Sequence, residues 1–401
     1  MSGADDLVAA LTRLRATGVR RIESFAWRDL DDPEAGGSEL HADEIFTRWT
    51  ATDLVEIDHR TSTIDVGREF DRHGYHVTQR GGRFDVFARV IAAQLNRRLR
   101  GRRPLDVATI EIWNGVPWFS PLWGPQRSIV WLHHVHREMW ADAVPEPIAT
   151  LGRWNETRLA PRAYRRVLVN TLSQSSKDEI VEIGIPKEHL AVIPPGVDER
   201  YAADEAQRSR TPRVIVVGRL APVKRQRLAL EQLAVARGRH PELRVDVIGD
   251  GPDRAELERW VADRDAAEWV RLRGRVPDDE LLAAYQAAWL VVSASYAEGW
   301  GMSLTEGGAC GTPCVATDIA GHRGAAIDGV TGVLVDDPAA MGTAIADMLA
   351  DDEGRGRMGR AALEHAAGLS WTAVAARQAA RLADACEGPT SRPRYGSVGV
   401  R

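Results

Sequence analysis

The chain has 401 residues, which is enough for two or three domains with sizeable cores. Apolar residues make up 44% and charged residues 27%, which is typical of a globular protein and excludes wholesale disorder. The net charge of −5 excludes the global basic field of a nucleic-acid-binding protein. Of the 52 basic residues only three are lysines, Lys177, Lys187 and Lys224, and the other 49 are arginines.

Cysteine content and hydropathy indicate the cellular setting. The three cysteines, Cys310, Cys314 and Cys386, form no CxxC pair, so neither a disulfide framework nor a zinc ribbon is expected. The first residues are acidic and then amphipathic, and no stretch of about 18 apolar residues occurs. We therefore expect a cytoplasmic protein without a secretory signal or a membrane span.

The first half of the chain alternates short apolar runs with helical patterns. Candidate strands cover residues 21–27, 55–61, 106–113, 128–134, 165–172 and 190–198. Stretches such as 38–49, with the spacing of an amphipathic helix, separate these runs. The alternation predicts βαβ units around a parallel sheet.

The second half repeats this alternation more regularly, with candidate strands at 213–218, 244–251, 270–274, 290–295 and 313–319. The polar segment 199–212 lacks apolar periodicity and ends in proline, which is typical of a linker. We predict an α/β protein with two doubly wound, Rossmann-like domains, residues 1–205 and 213–370, and a linker at 206–212. Because ligands bind outside the carboxyl ends of such strands, the central cleft between the domains is the predicted site.

The first motif is VVGRLAPVKRQ, residues 216–226. Gly218 ends the predicted strand, and Arg219 and Lys224 lie in the loop before the next helix. Two cations beside a helix N-terminus suit a phosphate group, and the alternative is a pair of solvated charges. Lys224 stands out in a chain that otherwise uses arginine, because a compact ammonium on a flexible stem suits a phosphate oxygen.

The second motif is EGWGMSLTE, residues 298–306. Gly299 and Gly301 permit close approach of the backbone to a ligand, and the following helix start offers N–H donors to phosphate or sugar oxygens. Glu298 and Glu306 can accept hydrogen bonds from sugar hydroxyls. The alternative is a helix start with incidental acids.

In this order and spacing, the two motifs resemble those of the retaining glycosyltransferases of family 4, which have the GT-B fold. The resemblance extends to about residue 387. It implies that Arg219 and Lys224 bind the donor diphosphate. It also implies that Glu298 contacts the transferred sugar and Glu306 the nucleotide ribose. The donor site implied by the family comprises Gly218, Arg219, Lys224, Arg275, Val276, Glu298, Gly299, Gly301, Met302, Ser303, Leu304 and Glu306.

Two further segments carry the resemblance. IPPGVD, residues 193–198, is similar to the family's segment before the linker, although Pro195 stands where asparagine is usual. The helix expected at 371–387 is similar to the family's final helix, which crosses back to the first domain. The tail 388–401 is expected to be disordered.

The stretch PEAGGSELHADEI, residues 33–45, resembles the family's N-terminal glycine loop, whose backbone faces the phosphates and the acceptor. Gly36 and Gly37 give the tight turn, and Ser38 is the expected N-cap of the following helix. Since a glycine turn before a helix is common, an ordinary helix start is the alternative.

Three histidines, His133, His134 and His136, follow a predicted strand without the acidic ligand spacing of a metal site. In similar glycosyltransferases a histidine at the end of this strand lies near the transferred sugar, and His133 is the match. His134 is a candidate acceptor ligand, and a structural role is the alternative for it and for His136. The predicted catalytic residues are therefore His133, Arg219, Lys224 and Glu298.

The stretch 111–123 and its neighbours are rich in tryptophan. Aromatic faces can stack on sugar rings, and Glu111 and Asn114 are candidate acceptor ligands beside His134. An aromatic core is the favoured alternative for Trp113, Trp118, Trp123, Trp131 and Trp140.

Arginine-rich stretches occur at 97–103 and 153–166. One interpretation is peripheral contact with anionic lipid head groups at the inner membrane face. The other is a solvated helix face, and the net negative charge of the chain favours it.

The combined prediction is a hexosyltransferase that moves a sugar from a nucleoside diphosphate, of UDP or GDP type, to a hydroxyl acceptor with retention. The acceptor classes are a saccharide, a lipid-linked glycan and a small-molecule aglycone. No cofactor and no metal are expected, because Arg219 and Lys224 can neutralise the leaving diphosphate. The alternatives are a GT-B-type epimerase or phosphorylase and a non-catalytic sugar-nucleotide-binding subunit.

Overall fold

The computed structural model describes residues 3–32, 35–63, 65–82, 85–99, 106–124, 127–137 and 139–387. The tail 388–401 lies outside these residues, and so does most of the arginine-rich stretch 97–103. Within the described chain no helix combines the length and the apolar character needed to cross a membrane.

The first half forms a sheet of eight described strands in the order β3-β4-β2-β1-β5-β6-β7-β8. All neighbours are parallel except β3 and β4, which are antiparallel. The strands are β1 (Arg21–Phe25), β2 (Glu56–Thr61), β3 (Arg68–Arg72), β4 (Tyr75–Gln79), β5 (Val107–Trp113), β6 (Ser128–Leu132), β7 (Leu168–Thr171) and β8 (Leu190–Val192).

The β3–β4 hairpin was not among the predicted strands. Its two-residue turn consists of His73 and Gly74, both with positive φ (47° and 92°), as a tight hairpin turn of this kind requires. β3 is a charged, largely exposed edge strand, so it carries no buried apolar alternation in the sequence.

Helices cover both faces of this sheet. They are α1 (Gly3–Ala16), α2 (Gly37–Thr50), α3 (Asp85–Leu99), α4 (Ser120–Trp123), α5 (Met139–Ala143), α6 (Ile148–Trp154), α7 (Ala160–Tyr164) and α8 (Gln174–Glu182), with a π-helical segment at Asn155–Leu159 and a 3₁₀ turn at Lys187–His189. α2 packs Phe46 and Trp49 against Trp131 of β6, which forms the centre of this core.

Helix α2 begins at Gly37, so the prediction that Ser38 is its N-cap is wrong. Gly36 is the N-cap, and its N–H donates to the buried Glu39 carboxylate at 2.8 Å. Ser38 therefore lies inside the first turn of α2. Because Glu39 accepts the hydrogen bond of the N-cap N–H, the Ser38 side chain is available for another contact.

The second half forms a fully parallel sheet of six described strands in the order β11-β10-β9-β12-β13-β14. The strands are β9 (Arg213–Val217), β10 (Arg244–Ile248), β11 (Val270–Gly274), β12 (Leu290–Ser293), β13 (Cys314–Thr317) and β14 (Gly332–Val335). This is the Rossmann order, in which the strand order reverses between the first and fourth strands. β14 was not among the predicted strands.

The helices of the second half are α9 (Gln226–Arg237), α10 (Arg254–Asp263), α11 (Asp278–Ala287), α12 (Met302–Ala309), α13 (Ala320–Ala325), α14 (Met341–Ala350) and α15 (Asp352–Ala367). Short 3₁₀ turns occupy Glu205–Gln207, Pro222–Lys224, Ala266–Glu268 and Pro338–Ala340. The segment 199–212 contacts this half, since Arg208 donates to Thr312 Oγ1 at 2.7 Å and Tyr201 lies edge-on to Tyr285.

The last helix, α16 (Trp371–Glu387), returns from the second half to the first and packs on α1, α2 and β6. Its apolar face is buried, and the indole N–H of Trp49 donates to the carbonyl of Ala375 at 2.9 Å. At its start, Trp371 covers Gly196 in the crossing between the two halves.

A methyl group at Gly196 would disturb this crossing. A Cβ there would lie 2.5 Å from the Trp371 ring and from its backbone nitrogen, so Gly196→Ala should lower the free energy of unfolding by about 1–3 kcal/mol. Chemical denaturation measures the change. Gly356→Ala is the control, because its Cβ would make only ordinary contact on an exposed part of α15. Equal stability of the two variants would contradict this account of the crossing.

Candidate active site

The predicted motifs lie at the points where the two sheets reverse their strand order. In the second sheet the reversal falls between β9 and β12, which precede the 216–226 and 298–306 motifs. In the first sheet it falls between β1 and β5, which precede Gly36 and Asn114. Crevices at such switch points are where open α/β sheets bind ligands.

The loop after β9 places Lys224 against Glu298. A 3₁₀ turn at Pro222–Lys224 is held by the backbone N–H of Tyr296, which donates to Val223 at 3.1 Å. Lys224 Nζ then lies 2.8 Å from Glu298 Oε1. The two motifs therefore meet through the Lys224–Glu298 ion pair, and the backbone hydrogen bond from Tyr296, just before the second motif, supports the contact.

Glu298 is a buried carboxylate that keeps its charge. Its side chain is 8% exposed, and the hydroxyl of Ser295 donates to the same oxygen that pairs with Lys224. Burial by itself raises the pKa of Glu298, but the charge of Lys224 and the neighbouring His322 outweigh burial and hold this pKa well below its usual range. The carboxylate is therefore a charged acceptor at neutral pH.

His322 is a neighbour of Glu298 that the sequence motifs did not reveal. Its ring is fully buried, with Nδ1 2.7 Å from the carbonyl oxygen of Thr317 and Nε2 3.5 Å from Glu298 Oε1. Nε2 also lies 3.2 Å from the Ser293 hydroxyl. A single histidine in the short helix α13 carries no motif signal, and only the fold brings it behind the carboxylate.

Gly249 also escaped the sequence motifs. It follows β10 with φ +136°, and a Cβ there would lie 2.0 Å from the carbonyl oxygen of Gly218. The glycine is therefore required for the β10 loop to pack directly on the β9 loop. The GDG triplet at the end of the predicted strand 244–251, residues 249–251, was the available signal.

Glu306 lies on α12, away from the ion pair. The hydroxyl of Tyr285 donates to Glu306 Oε2 at 2.7 Å, and Tyr201 lies 5.6 Å from the Tyr285 ring. Burial raises the pKa of Glu306, although the Tyr285 hydroxyl acts in the opposite direction. Val276 is partly buried against the apolar cluster that contains Tyr285, whereas Arg275 is exposed.

The loops of the two sheets meet at glycines. A Cβ on Gly299 would lie 3.1 Å from the carbonyl oxygen of His133 and 3.3 Å from Nδ1 of His134. A Cβ on Gly37 would lie 3.1 Å from Sδ of Met302 at the start of α12. The predicted glycine loop, the histidine strand end and the second motif are thus brought together.

The two histidines have different surroundings. The His133 ring is buried against His41, with centroids 5.0 Å apart, and neither of its ring nitrogens has a hydrogen-bond partner among the described residues. His134 is the one that interacts electrostatically with Glu298 and Lys224, and burial lowers its pKa to about 4. The acceptor candidate His134 therefore lies within electrostatic range of the ion pair, although the motif resemblance selected His133.

Glu111 is not an acceptor ligand, and this prediction is wrong. Its carboxylate is fully buried and is satisfied within the domain. One oxygen accepts from Tyr164 Oη at 2.5 Å and from the Trp118 N–H at 3.0 Å, and the other accepts from the Ser120 hydroxyl at 2.5 Å. All its acceptor sites therefore serve to hold the 114–120 loop.

Asn114 lies at the cleft edge of the first sheet, where its amide donates to Ser38 Oγ at 3.0 Å. Its contact fixes the β5 loop to the first turn of α2. The tryptophans around it are core residues, which confirms the aromatic-core interpretation. The buried ones are Trp113, Trp118, Trp123, Trp131 and Trp140.

Within the part of the chain that the structure describes, no three His, Cys, Asp or Glu side chains are grouped so that they could hold a metal ion.

Arg219 is half-buried in the loop after β9, and its carbonyl accepts from the Gln226 side chain at 2.7 Å. Gln226 thereby fixes the backbone that carries the arginine.

Comparisons with known proteins agree with this geometry. Residues 197–365 match the family model of glycosyl transferases group 1. A D-inositol 3-phosphate glycosyltransferase of Thermobispora bispora is 34% identical over 94% of this chain and 97% of its own length.

Solved structures share the fold. A sucrose-phosphate synthase of Thermosynechococcus elongatus has a TM-score of 0.70 at 21% identity, over 90% of this chain and 97% of that one. Anabaena HepE, solved in complex with UDP-glucose, has a TM-score of 0.68 at 17% identity, over 90% of this chain and 98% of that one. These likenesses confirm the predicted GT-B fold. Because the T. bispora relative matches along nearly its whole length, this chain belongs to the glycosyl transferases group 1 family and is a hexosyltransferase.

Proposed function

We propose that the enzyme transfers a hexosyl group from a UDP-sugar to a hydroxyl of an inositol phosphate, with retention at the anomeric carbon and without a metal. The observation that carries the proposal is the Lys224–Glu298 pair at the switch point of the second sheet, beside His134 of the first half. Both halves thus contribute groups to one crevice.

The diphosphate lies at Lys224 and Arg219 in this proposal. Negative charge grows on the leaving phosphates during transfer, and fixed cations stabilise it more in the transition state than in the ground state. Lys224 has three donors, so it can bind a phosphate oxygen while it stays close to Glu298. A metal is unnecessary for this charge balance. UDP is the proposed nucleotide, because HepE was solved with UDP-glucose.

The transferred sugar lies between Glu298 and His134. The charged Glu298 carboxylate accepts hydrogen bonds from sugar hydroxyls. With its pKa lowered by burial to about 4, His134 is neutral at pH 7 and acts there as a hydrogen-bonding group. Glu306, held by Tyr285, faces the ribose. Retention then follows from front-face attack by an acceptor hydroxyl from the side of the first sheet.

An inositol phosphate is the proposed acceptor because the T. bispora relative is named for it. The first sheet supplies positive charge on the acceptor side of the cleft. Arg28, which follows β1, acts electrostatically on both Glu39 of α2 and His136 after β6. A guanidinium at this position suits an acceptor phosphate.

A transfer assay tests the proposal. UDP should raise the melting temperature more than GDP, ADP or TDP, because a nucleotide held only by the folded state stabilises it. Labelled sugar should move from UDP-sugar to inositol 3-phosphate equally well with and without EDTA. Free or epimerised sugar formed without acceptor would indicate the epimerase alternative, and a requirement for inorganic phosphate would indicate a phosphorylase. Activity that EDTA abolishes and a divalent ion restores would contradict the metal-free mechanism.

Lys224→Ala should lower kcat by about 10²–10³, the effect of losing one preorganised electrostatic donor. Lys187→Ala is the matched control, because Lys187 is exposed in a 3₁₀ turn of the first half. Steady-state kinetics measures both variants, and circular dichroism checks that they are folded. A folded Lys224→Ala enzyme with the turnover of the control would exclude Lys224 from the diphosphate site.

Glu298→Gln should reduce kcat by about 10² and leave the Kd for UDP within about threefold, because the sugar loses its charged acceptor while Lys224 remains for the phosphates. Glu256→Gln, an exposed carboxylate paired with Arg227 on α9, is the control. Calorimetric titration with UDP provides the second readout. If binding and turnover fall together, Glu298 has a structural role only.

A further inference from the structure

The helical segment 148–164 presents an unusual outer face. α6, the π-helical segment and α7 follow one another without interruption, and the residues at their junctions keep right-handed helical backbone angles. Four large apolar side chains on it are exposed: Ile148 by 55%, Leu151 by 62%, Trp154 by 52% and Leu159 by 42%. Spacings of three to five residues put them along one side of the helix.

Arginines continue this side toward the end of α7. Arg158, Arg162, Arg165 and Arg166 are exposed, and among the described residues none of them has a carboxylate partner. Segment 148–166 contains five arginines and a single acid, Glu156, which is buried. This face is therefore positive in a chain whose net charge is −5.

The inner side of the segment is fixed to the loop after β6. Glu156 accepts hydrogen bonds from the backbone N–H of His136 at 2.9 Å and from the indole N–H of Trp140 at 3.0 Å. Gly152 lies so close to Trp140 that a Cβ would be 2.5 Å from its ring. Since this loop also carries His134, the exposed face and the acceptor side of the cleft belong to one rigid unit.

We propose that the outer face of 148–166, which we call the docking face, binds the surface of an anionic lipid bilayer. Exposed Ile, Leu and Trp side chains suit the boundary between head groups and acyl chains, and the neighbouring arginines attract anionic head groups. Trp154 has an apolar body and a polar N–H, which suits this boundary.

A second copy of the chain fits this face less well. A two-fold contact brings the same patch of both subunits together, so the four unpaired arginines would lie near four others. Anionic lipid instead supplies the missing negative charge and covers the apolar side chains at the same time. The docking face thereby brings the acceptor side of the enzyme to a membrane surface.

Vesicle co-sedimentation of the full chain tests the proposal. Vesicles with about 30% phosphatidylglycerol should bind at least about tenfold more tightly than pure phosphatidylcholine, and added salt should weaken the binding. Leu151→Ser/Trp154→Ser should weaken binding to the anionic vesicles by at least about tenfold. Arg162→Gln/Arg166→Gln should weaken it by about 25-fold, which is about fivefold for each arginine.

Val235→Ser/Arg259→Gln, which changes an exposed valine of α9 and an exposed arginine of α10, should bind like the parent chain. An unchanged melting temperature and UDP response show that each variant is folded, and these readouts do not depend on the docking face. Equal binding to neutral and anionic vesicles, or unchanged binding by both docking-face variants, overturns the proposal. A concentration-dependent dimer in analytical ultracentrifugation that Leu151→Ser/Trp154→Ser abolishes would show that a second copy covers this face, and would overturn it too.

Discussion

The ion pair between Lys224 and Glu298 is the interaction on which the rest of the site depends. A carboxylate that is 8% exposed is stable in its charged form only when a cation is close, and removing one partner of such a pair costs about 3–5 kcal/mol. Lys224 therefore has a role in the fold before any substrate arrives. It also fixes the distance between the two motifs, because Nζ and Oε1 are 2.8 Å apart.

This pair couples binding to the geometry of the sugar site. In the proposed donor complex a diphosphate oxygen shares the Lys224 ammonium with Glu298, which weakens the attraction between the ammonium and the carboxylate. Ser295 and His322 remain as partners, so the carboxylate stays oriented while its second oxygen is available to sugar hydroxyls.

How far the sequence predicts this structure depends on how local each feature is. The buried strands and the two motifs were predictable because β-branched runs, glycines and charges repeat at short spacing. His322 was not, since its role depends on how the short helix α13 packs beside Glu298. Glu111 was misassigned for the same reason. A carboxylate at a strand end looks like a ligand in sequence, and only the three-dimensional contacts with Tyr164, Trp118 and Ser120 show that its oxygens are already used.

Glycines allow the two sheets to approach each other at the histidine strand end. A side chain at Gly299 would touch the carbonyl of His133, so any larger residue would push the second motif away from the first sheet. The same strand end leads into the loop that Glu156 holds against α6. Glu156 thereby links the outer helix to the loop that carries His134. Because Gly299 packs on the same strand end, a shift of this loop would also reach the segment that carries Glu298.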